Sequence, residues 1–135
     1  MDGRGDMQIW DSVRRRWLVL TPEEWVRQHL IRFLCEGCGA DPMLVRQEHP
    51  AKIHGMAQRA DIVVYSRNGV PLLLAECKAP AVEIGAAAFD QAARYNSVLG
   101  ARYVVITNGL RHYVHELRED GRYVALAQFP DLNEL

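Results

Sequence analysis

The chain has 135 residues, of which 49% are hydrophobic and 24% are charged, and its formal net charge is −1. This length suits one globular domain, and the near-neutral charge argues against a protein that coats nucleic acid with its whole surface. No stretch approaches the roughly 20 apolar residues of a membrane span, and the N-terminus lacks the apolar core of a secretory signal. The three cysteines fit a reducing compartment, so we expect a cytoplasmic protein without membrane association.

The first part of the chain predicts a β-hairpin followed by a capped helix. Residues 7–20 are expected to form two short strands around the arginine cluster 14–16, which is interpreted as a solvated turn, with a phosphate contact as the alternative. A helix should begin after Thr21, because Pro22 suits the first helical position and Glu24 would complete a capping box. The apolar stripe of this helix comprises Trp25, Val26, Leu30, Phe33 and Leu34.

The middle of the chain predicts three strands, and its second and third strands form a hairpin. The sequence Arg-Asn-Gly at 67–69 is typical of a tight turn between antiparallel strands. In chain order, the three strands are predicted over 43–48, 60–66 and 70–78.

The last part of the chain predicts a helix over 84–99, a buried strand over 102–107 and a terminal hairpin from strands at 110–117 and 122–128. Residues 70–107 should therefore form a strand–helix–strand unit with a right-handed crossover. The whole pattern predicts an α/β fold with a mixed central sheet.

The candidate site consists of two acids and a lysine that the predicted hairpin would bring to one edge of the sheet, namely Asp61, Glu76 and Lys78. Two converging carboxylates repel each other unless a cation or a proton lies between them. Mg²⁺ typically takes one or two carboxylates, and the backbone carbonyl of Cys77 could be a further oxygen ligand. Lys78 could orient or deprotonate a water molecule, or neutralise charge on a phosphate.

Each of these signals also has a purely structural interpretation. Acids and lysines often end strands where they meet solvent, and the helix positions Gln91 and Tyr95, four apart on one face, could belong to core packing. Glu24 has a sufficient role as a capping residue. Cys35 and Cys38 have zinc or redox spacing, but the chain lacks a second cysteine pair.

Five motifs resemble the PD-(D/E)XK nuclease superfamily and, more closely, the N-terminal nuclease domain of type I restriction enzyme R subunits. Together they span nearly the whole chain, and they lie at residues 21–28, 59–64, 75–80, 91–96 and 107–109. The resemblance implies a restriction-endonuclease-like αβββαβ core with a mixed central sheet and a C-terminal β-hairpin. It also implies one nuclease domain over 1–135, divided into an N-terminal hairpin at 7–20, a core at 21–109 and a C-terminal hairpin at 110–128.

The resemblance further implies roles for single residues. Asp61 and Glu76 would bind Mg²⁺, for which Mn²⁺ could substitute, and Lys78 would be the catalytic lysine. Gln91 and Tyr95 look like the Gln-x-x-x-Tyr element of RecB-like members, which is thought to help place DNA and the catalytic groups.

Two further points of the resemblance concern the helix acid and the departures from the family pattern. Glu24 occupies the position of an acid that some superfamily members use near the metal. Ala60 replaces the proline of the superfamily's name, at a position that often varies. The restriction subunit continues into a DNA-translocating ATPase, whereas this sequence contains no Gly-x-x-x-x-Gly-Lys-Ser/Thr loop. We therefore expect either an excised domain or a stand-alone relative.

The leading hypothesis is a Mg²⁺-dependent DNA endonuclease domain of the restriction–modification type. Its expected partners are DNA, a second copy of the chain in a homodimer, and either restriction–modification subunits or a separate ATPase motor. The alternative is a non-catalytic module of the same fold that binds DNA or a restriction complex. A regulatory or scaffold protein that binds no nucleic acid is a third hypothesis.

Overall fold

The computed structural model describes residues 5–53 and 56–134, and its side chains are described outside 49–59 and 134. The single domain expected over 1–135 therefore extends beyond the described residues. The helices are α1 (Pro22–Gly37) and α2 (Ala86–Leu99), with 3₁₀ turns at Pro42–Leu44 and Leu132–Glu134. The strands are β1 (Gln8–Asp11), β2 (Arg16–Val19), β3 (Val45–Ile53), β4 (Met56–Tyr65), β5 (Pro71–Cys77), β6 (Tyr103–Thr107), β7 (His112–Leu117) and β8 (Tyr123–Leu126).

Six strands form one mixed sheet in the order β3-β4-β5-β6-β7-β8, and β1 pairs with β2 in a separate hairpin. Only β5 and β6 pair in parallel within the large sheet, because α2 connects them, and the other neighbours are antiparallel. The predicted α/β fold, with its αβββαβ order, mixed sheet and C-terminal hairpin, is confirmed. Among the described residues, neither helix is both long and apolar enough to span a bilayer.

A tight turn and a register shift between Val64 and Tyr65 together set the β4–β5 pairing that positions the candidate site. Gly69 has a φ of +78°, and its backbone N–H donates to the Ser66 carbonyl at 2.9 Å. Glycine favours this left-handed conformation because it has no Cβ. The resulting pairing places Ile62 opposite Ala75.

Helix α1 covers one face of the sheet, and its start follows the predicted cap. The Thr21 hydroxyl accepts a hydrogen bond from the Glu24 backbone N–H at 3.1 Å. The predicted apolar stripe is only partly correct, since Trp25 is 40% and Phe33 47% exposed. These two aromatic side chains flank the buried face instead of forming it. The stripe members that pack against the sheet are Val26, Leu30 and Leu34, together with Ile31.

The core has two parts, one on each face of the sheet. The cluster under α1 includes Ile62, Ala75 and Cys77, and the cluster under α2 includes Leu74 and Tyr95. Alternate residues of β5 thus enter different clusters, as expected for a strand covered on both faces. In β5 the residues 72–75 are buried, and they are followed by the half-buried Glu76 and, beyond the strand, by Lys78.

Candidate active site

Asp61 and Glu76 lie on neighbouring strands at the same edge of the sheet. The register that pairs Ile62 with Ala75 puts Asp61 of β4 opposite Glu76 of β5, one residue further along. The Asp61 carboxylate accepts a hydrogen bond through Oδ2 from the Cys77 backbone N–H at 2.7 Å. The hairpin therefore brings the two acids together, and a backbone donor fixes one of them.

The electrostatics of Glu76 reflect this proximity. Burial and the adjacent Asp61 carboxylate raise the pKa of Glu76 from 4.5 to about 8, while the positive charges of Lys78 and Arg27 lower it. Lys78 follows the end of β5, and its backbone N–H donates to the Thr107 carbonyl at 2.8 Å. At neutral pH Glu76 therefore retains its proton unless a cation lies between the two carboxylates.

A third acid, Glu48, completes a row across three strands. The pairs on either side of it, Gln47 with Ile62 and His49 with Ala60, place Glu48 of β3 opposite Asp61. Glu48 has a φ of +52°, which is uncommon for a residue with a side chain. This local strain accompanies an approach of the Glu48 carboxylate to α1.

Arg27 of α1 lies among three carboxylates at this edge. Its guanidinium lies 3.4 Å from Glu24 Oε2, 3.2 Å from Glu48 Oε1 and 3.7 Å from Asp61 Oδ1. Burial opposes the charge, but the three acids outweigh it and raise the pKa of Arg27. The expected capping box is wrong in one respect, because the Glu24 carboxylate accepts from Gln28 at 2.8 Å and pairs with Arg27 instead of reaching back to Thr21.

A polar network continues from the site to the β1–β2 hairpin. Gln28 donates to Gln47 Oε1 at 3.1 Å, and Gln47 donates to both carboxylate oxygens of Asp11 at 3.0 Å. Arg14 pairs with Asp11 and approaches Glu48 at 3.6 Å. Arg14 is therefore a partly buried member of this network, and the solvated turn predicted for the cluster holds only for Arg15 and Arg16, which are exposed.

The two predicted α2 residues have different environments. Tyr95 is 2% exposed, and its hydroxyl hydrogen-bonds to the backbone of Ala60, next to Asp61. Burial raises the pKa of Tyr95, and the nearby Glu76 adds to the effect. Gln91 is exposed one turn earlier on the helix. Tyr95 therefore packs beside the acid pair, whereas Gln91 faces solvent near it.

The donor set fits a hard divalent cation that retains much of its water. Asp61, Glu76 and the Cys77 carbonyl are oxygen ligands of the kind that Mg²⁺ accepts, with one or two carboxylates and several waters. The described residues contain no group of three or more His, Cys, Asp or Glu side chains arranged to hold a metal. Cys35 and Cys38 are free thiols and belong to no such group among the described residues. A site at the acid pair would thus depend on water and phosphate for its remaining ligands.

A groove of about 1650 Å³ in the described part of the chain does not include these acids. Its lining comes from the end of α1, the β4–β5 turn and the C-terminal segment. That groove lies at the opposite end of β5 from Glu76. We assign the candidate site by its chemistry, since Asp61 and Glu76 lie on the interior strands β4 and β5 and outside this groove.

Arg27 and Glu48 were not among the predicted site residues. The sequence does contain a signal for Arg27. This residue lies three residues after Glu24 and four before Ile31, so helical spacing places a charged side chain on the buried face of α1. No comparable signal exists for Glu48, since its position opposite Asp61 depends on the pairing of β3 with β4.

The mixed sheet and its two covering helices define the class of the protein, an α/β domain. The domain matches a solved fragment assigned to an HsdR subunit of a type I restriction enzyme from Vibrio vulnificus YJ016, with a TM-score of 0.59 and 24% identity. The match covers 86% of this chain but only 24% of that chain, and at this identity it shows a common fold.

The model of the family described as type I restriction enzyme R protein N terminus matches residues 22–130. The chain therefore belongs to this family. A comparison with curated proteins finds no significant match.

Proposed function

We propose that this chain is a divalent-metal-dependent DNA endonuclease domain that hydrolyses phosphodiester bonds. The observation that carries the proposal is the position of Asp61 opposite Glu76, with Lys78 directly after the end of β5. The raised pKa of Glu76 supports it, because a carboxyl with an unfavourable charge at neutral pH is suited to binding a cation. Membership of the R-protein family supports restriction as the biological setting.

In the proposed mechanism Asp61, Glu76 and the Cys77 carbonyl would hold a Mg²⁺ ion, for which Mn²⁺ could substitute. The bound ion supplies Lewis acidity toward the phosphate oxygens and acidifies water. Lys78 orients the attacking water or neutralises charge that develops on the phosphate. The Cys77 N–H keeps the Asp61 carboxylate in one orientation, which is the role expected of a supporting backbone donor.

The α2 side of the site would contact DNA. Gln91 is exposed and could donate to or accept from the nucleic acid, while buried Tyr95 fixes the backbone at Ala60 beside Asp61. Glu24 is engaged by Arg27 and Gln28, so we assign it to supporting the site and not to binding the metal.

The proposed partners are DNA and the other subunits of a restriction–modification complex, or a separate ATPase motor. The chain spans 24% of the length of the solved HsdR fragment, and we propose that any DNA translocation is the work of that separate motor. Pairing of two chains is a further proposal, because cutting both strands of a duplex requires two sites.

The test is nicking of supercoiled plasmid with Mg²⁺ or Mn²⁺ by purified wild type, Asp61→Asn and Lys78→Ala. We expect each substitution to reduce the nicking rate by about 100-fold or more, in the range typical of lost acid–base or ligand groups. Asp120→Asn is the matched control, because Asp120 is an exposed acid in a distant turn.

If folded wild-type protein nicks no faster than the two site variants, the enzyme proposal fails. Retained, salt-sensitive DNA binding would then identify a non-catalytic module of the same fold.

A further inference from the structure

Arg27 is an unusually constrained cation for a residue outside the acid pair. It is 7% exposed, and its guanidinium contacts Glu24, Glu48 and Asp61, which belong to three different elements. Within the described part of the chain its Nε atom is buried without a hydrogen-bond partner. A buried cation is retained only where nearby anions compensate its desolvation.

At this site the acidic side chains outnumber the basic ones. Four acids lie here, Glu24, Glu48, Asp61 and Glu76, against Arg27 and Lys78. Arg27 neutralises part of the cluster on the α1 side. Removing it would leave a buried group of carboxylates that attracts any available cation more strongly.

Arg27 also shares a carboxylate with the proposed metal site. Asp61 presents Oδ1 toward Arg27 at 3.7 Å, while Oδ2 accepts the Cys77 N–H at 2.7 Å. Both oxygens are thus oriented by the protein before any ion arrives. A divalent ion at Asp61 must approach a carboxylate that already lies beside a fixed positive charge.

We propose that Arg27 is a positioning residue that acts as a fixed counter-cation, orienting Asp61 and lowering the affinity of the site for a free divalent ion. The inference rests on the proposed metal site at Asp61 and Glu76. It gives the buried guanidinium a role that a purely structural ion pair would not have, namely setting the concentration of ion at which the site fills.

The test is titration with Mn²⁺ alone, without DNA, with free Mn²⁺ measured by electron paramagnetic resonance. We expect Arg27→Gln to bind Mn²⁺ about 10-fold more tightly than wild type, which corresponds to about 1.4 kcal/mol. Arg27→Lys keeps the charge and should stay within about 3-fold of wild type. Arg102→Gln removes a cation that pairs with Glu116 near the start of β6 and should leave the affinity unchanged.

Glu48→Gln is a second variant, for which we expect weaker Mn²⁺ binding. It provides the test of the inference if Arg27→Gln does not fold. Without the Glu48 charge, Arg27 is less neutralised and Mn²⁺ should bind about 3-fold more weakly. Unchanged or weaker Mn²⁺ binding by folded Arg27→Gln would overturn the inference, because loss of a merely structural contact loosens a site. If Arg27→Gln does not fold, unchanged or tighter binding by Glu48→Gln overturns it.

The same titration separates this inference from the proposed function. If wild type binds no Mn²⁺, or if Asp61→Asn binds it equally well, the metal site itself is wrong. If wild type binds and Asp61→Asn does not, only the response of the Arg27 and Glu48 variants bears on the counter-cation role.

Discussion

At the scale of single residues, the environment of Glu76 that suits the proposed metal site lowers the stability of the folded protein when no metal is bound. Its carboxyl is largely buried beside Asp61, and this environment raises its pKa from 4.5 to about 8. Folding therefore takes up a proton between these two pH values. Because the native state binds the extra proton, native stability falls as the pH rises through this window and levels off above about 8.

We predict that Glu76→Gln is more stable than wild type at pH 7 in the absence of divalent ions, by about 1–2 kcal/mol. Glutamine keeps the size and hydrogen-bonding capacity of the side chain and removes the repulsion with Asp61. The measurement is urea denaturation at pH 5, 7 and 8.5. The advantage of the variant should be small at pH 5 and largest at pH 8.5.

Addition of Mg²⁺ provides the control for this stability difference. Ligand binding stabilises the state that binds it, so Mg²⁺ should raise the stability of wild type more than that of Glu76→Gln. A variant that is less stable than wild type at every pH without metal would contradict the assigned environment of Glu76.

At the scale of elements, the β1–β2 hairpin is attached to the sheet through one buried carboxylate. Asp11 is completely buried, and it accepts hydrogen bonds from the backbone of Val13 and Arg14, at 3.0 and 2.9 Å. Its two oxygens also accept from Gln47. Burial opposes its charge, but these hydrogen bonds and the Arg14 guanidinium outweigh it, and the pKa of Asp11 is lowered.

We predict that Asp11→Ala lowers the free energy of unfolding by about 3 kcal/mol, because several buried donors lose their acceptor together. Asp41→Ala is the matched control, since Asp41 makes the same kind of local bond to the Met43 N–H at 2.9 Å, but this bond is exposed and Asp41 is only half-buried. Its loss should be only about 1 kcal/mol. Equal losses in the two variants, measured by urea denaturation, would show that the buried network does not hold the hairpin.

The elements themselves were largely predictable because their signals are local. The Asn68-Gly69 turn and the Thr21 cap depend on residues within a few positions, and both are present as predicted. The register that unites Asp61 with Glu76 also needs the shift between Val64 and Tyr65, which the turn sequence does not predict. Glu48 is different, because its positive φ and its approach to Arg27 arise only after β3, β4 and α1 have packed together.

At the scale of the whole molecule, the net charge of −1 limits how DNA can be bound. Attraction must come from a local group of cations, since the surface as a whole is not positive. Arg15 and Arg16 are exposed beside Arg14, whose guanidinium approaches Glu48 at 3.6 Å. Arg15 in the hairpin turn and Arg16 at the start of β2 are therefore exposed cations next in sequence to an arginine that contacts the acid row, and we take them as candidate phosphate contacts.

We predict that DNA binding is weakly salt-dependent, with a slope of about −2 to −4 for log Kobs against log salt, as for a few phosphate contacts. The measurement is fluorescence anisotropy of a short duplex with Ca²⁺, which keeps the site filled while slowing cleavage. The double variant Arg15→Gln with Arg16→Gln should reduce the slope by about 2, because each lost phosphate contact contributes about 0.9.

The matched control removes two exposed arginines elsewhere, Arg32 and Arg122, which pair with Glu36 and Asp120. Both double variants change the net charge by the same amount, so a difference between them isolates the position of the charge. We expect the control to keep the wild-type slope. An equal reduction of the slope in both double variants would mean that DNA binding depends on the total charge of the domain. It would contradict a specific contact of DNA with Arg15 and Arg16. A reduced slope in the Arg15 and Arg16 variant alone would instead place the duplex across the hairpin turn, with its backbone directed toward Asp61 and Glu76.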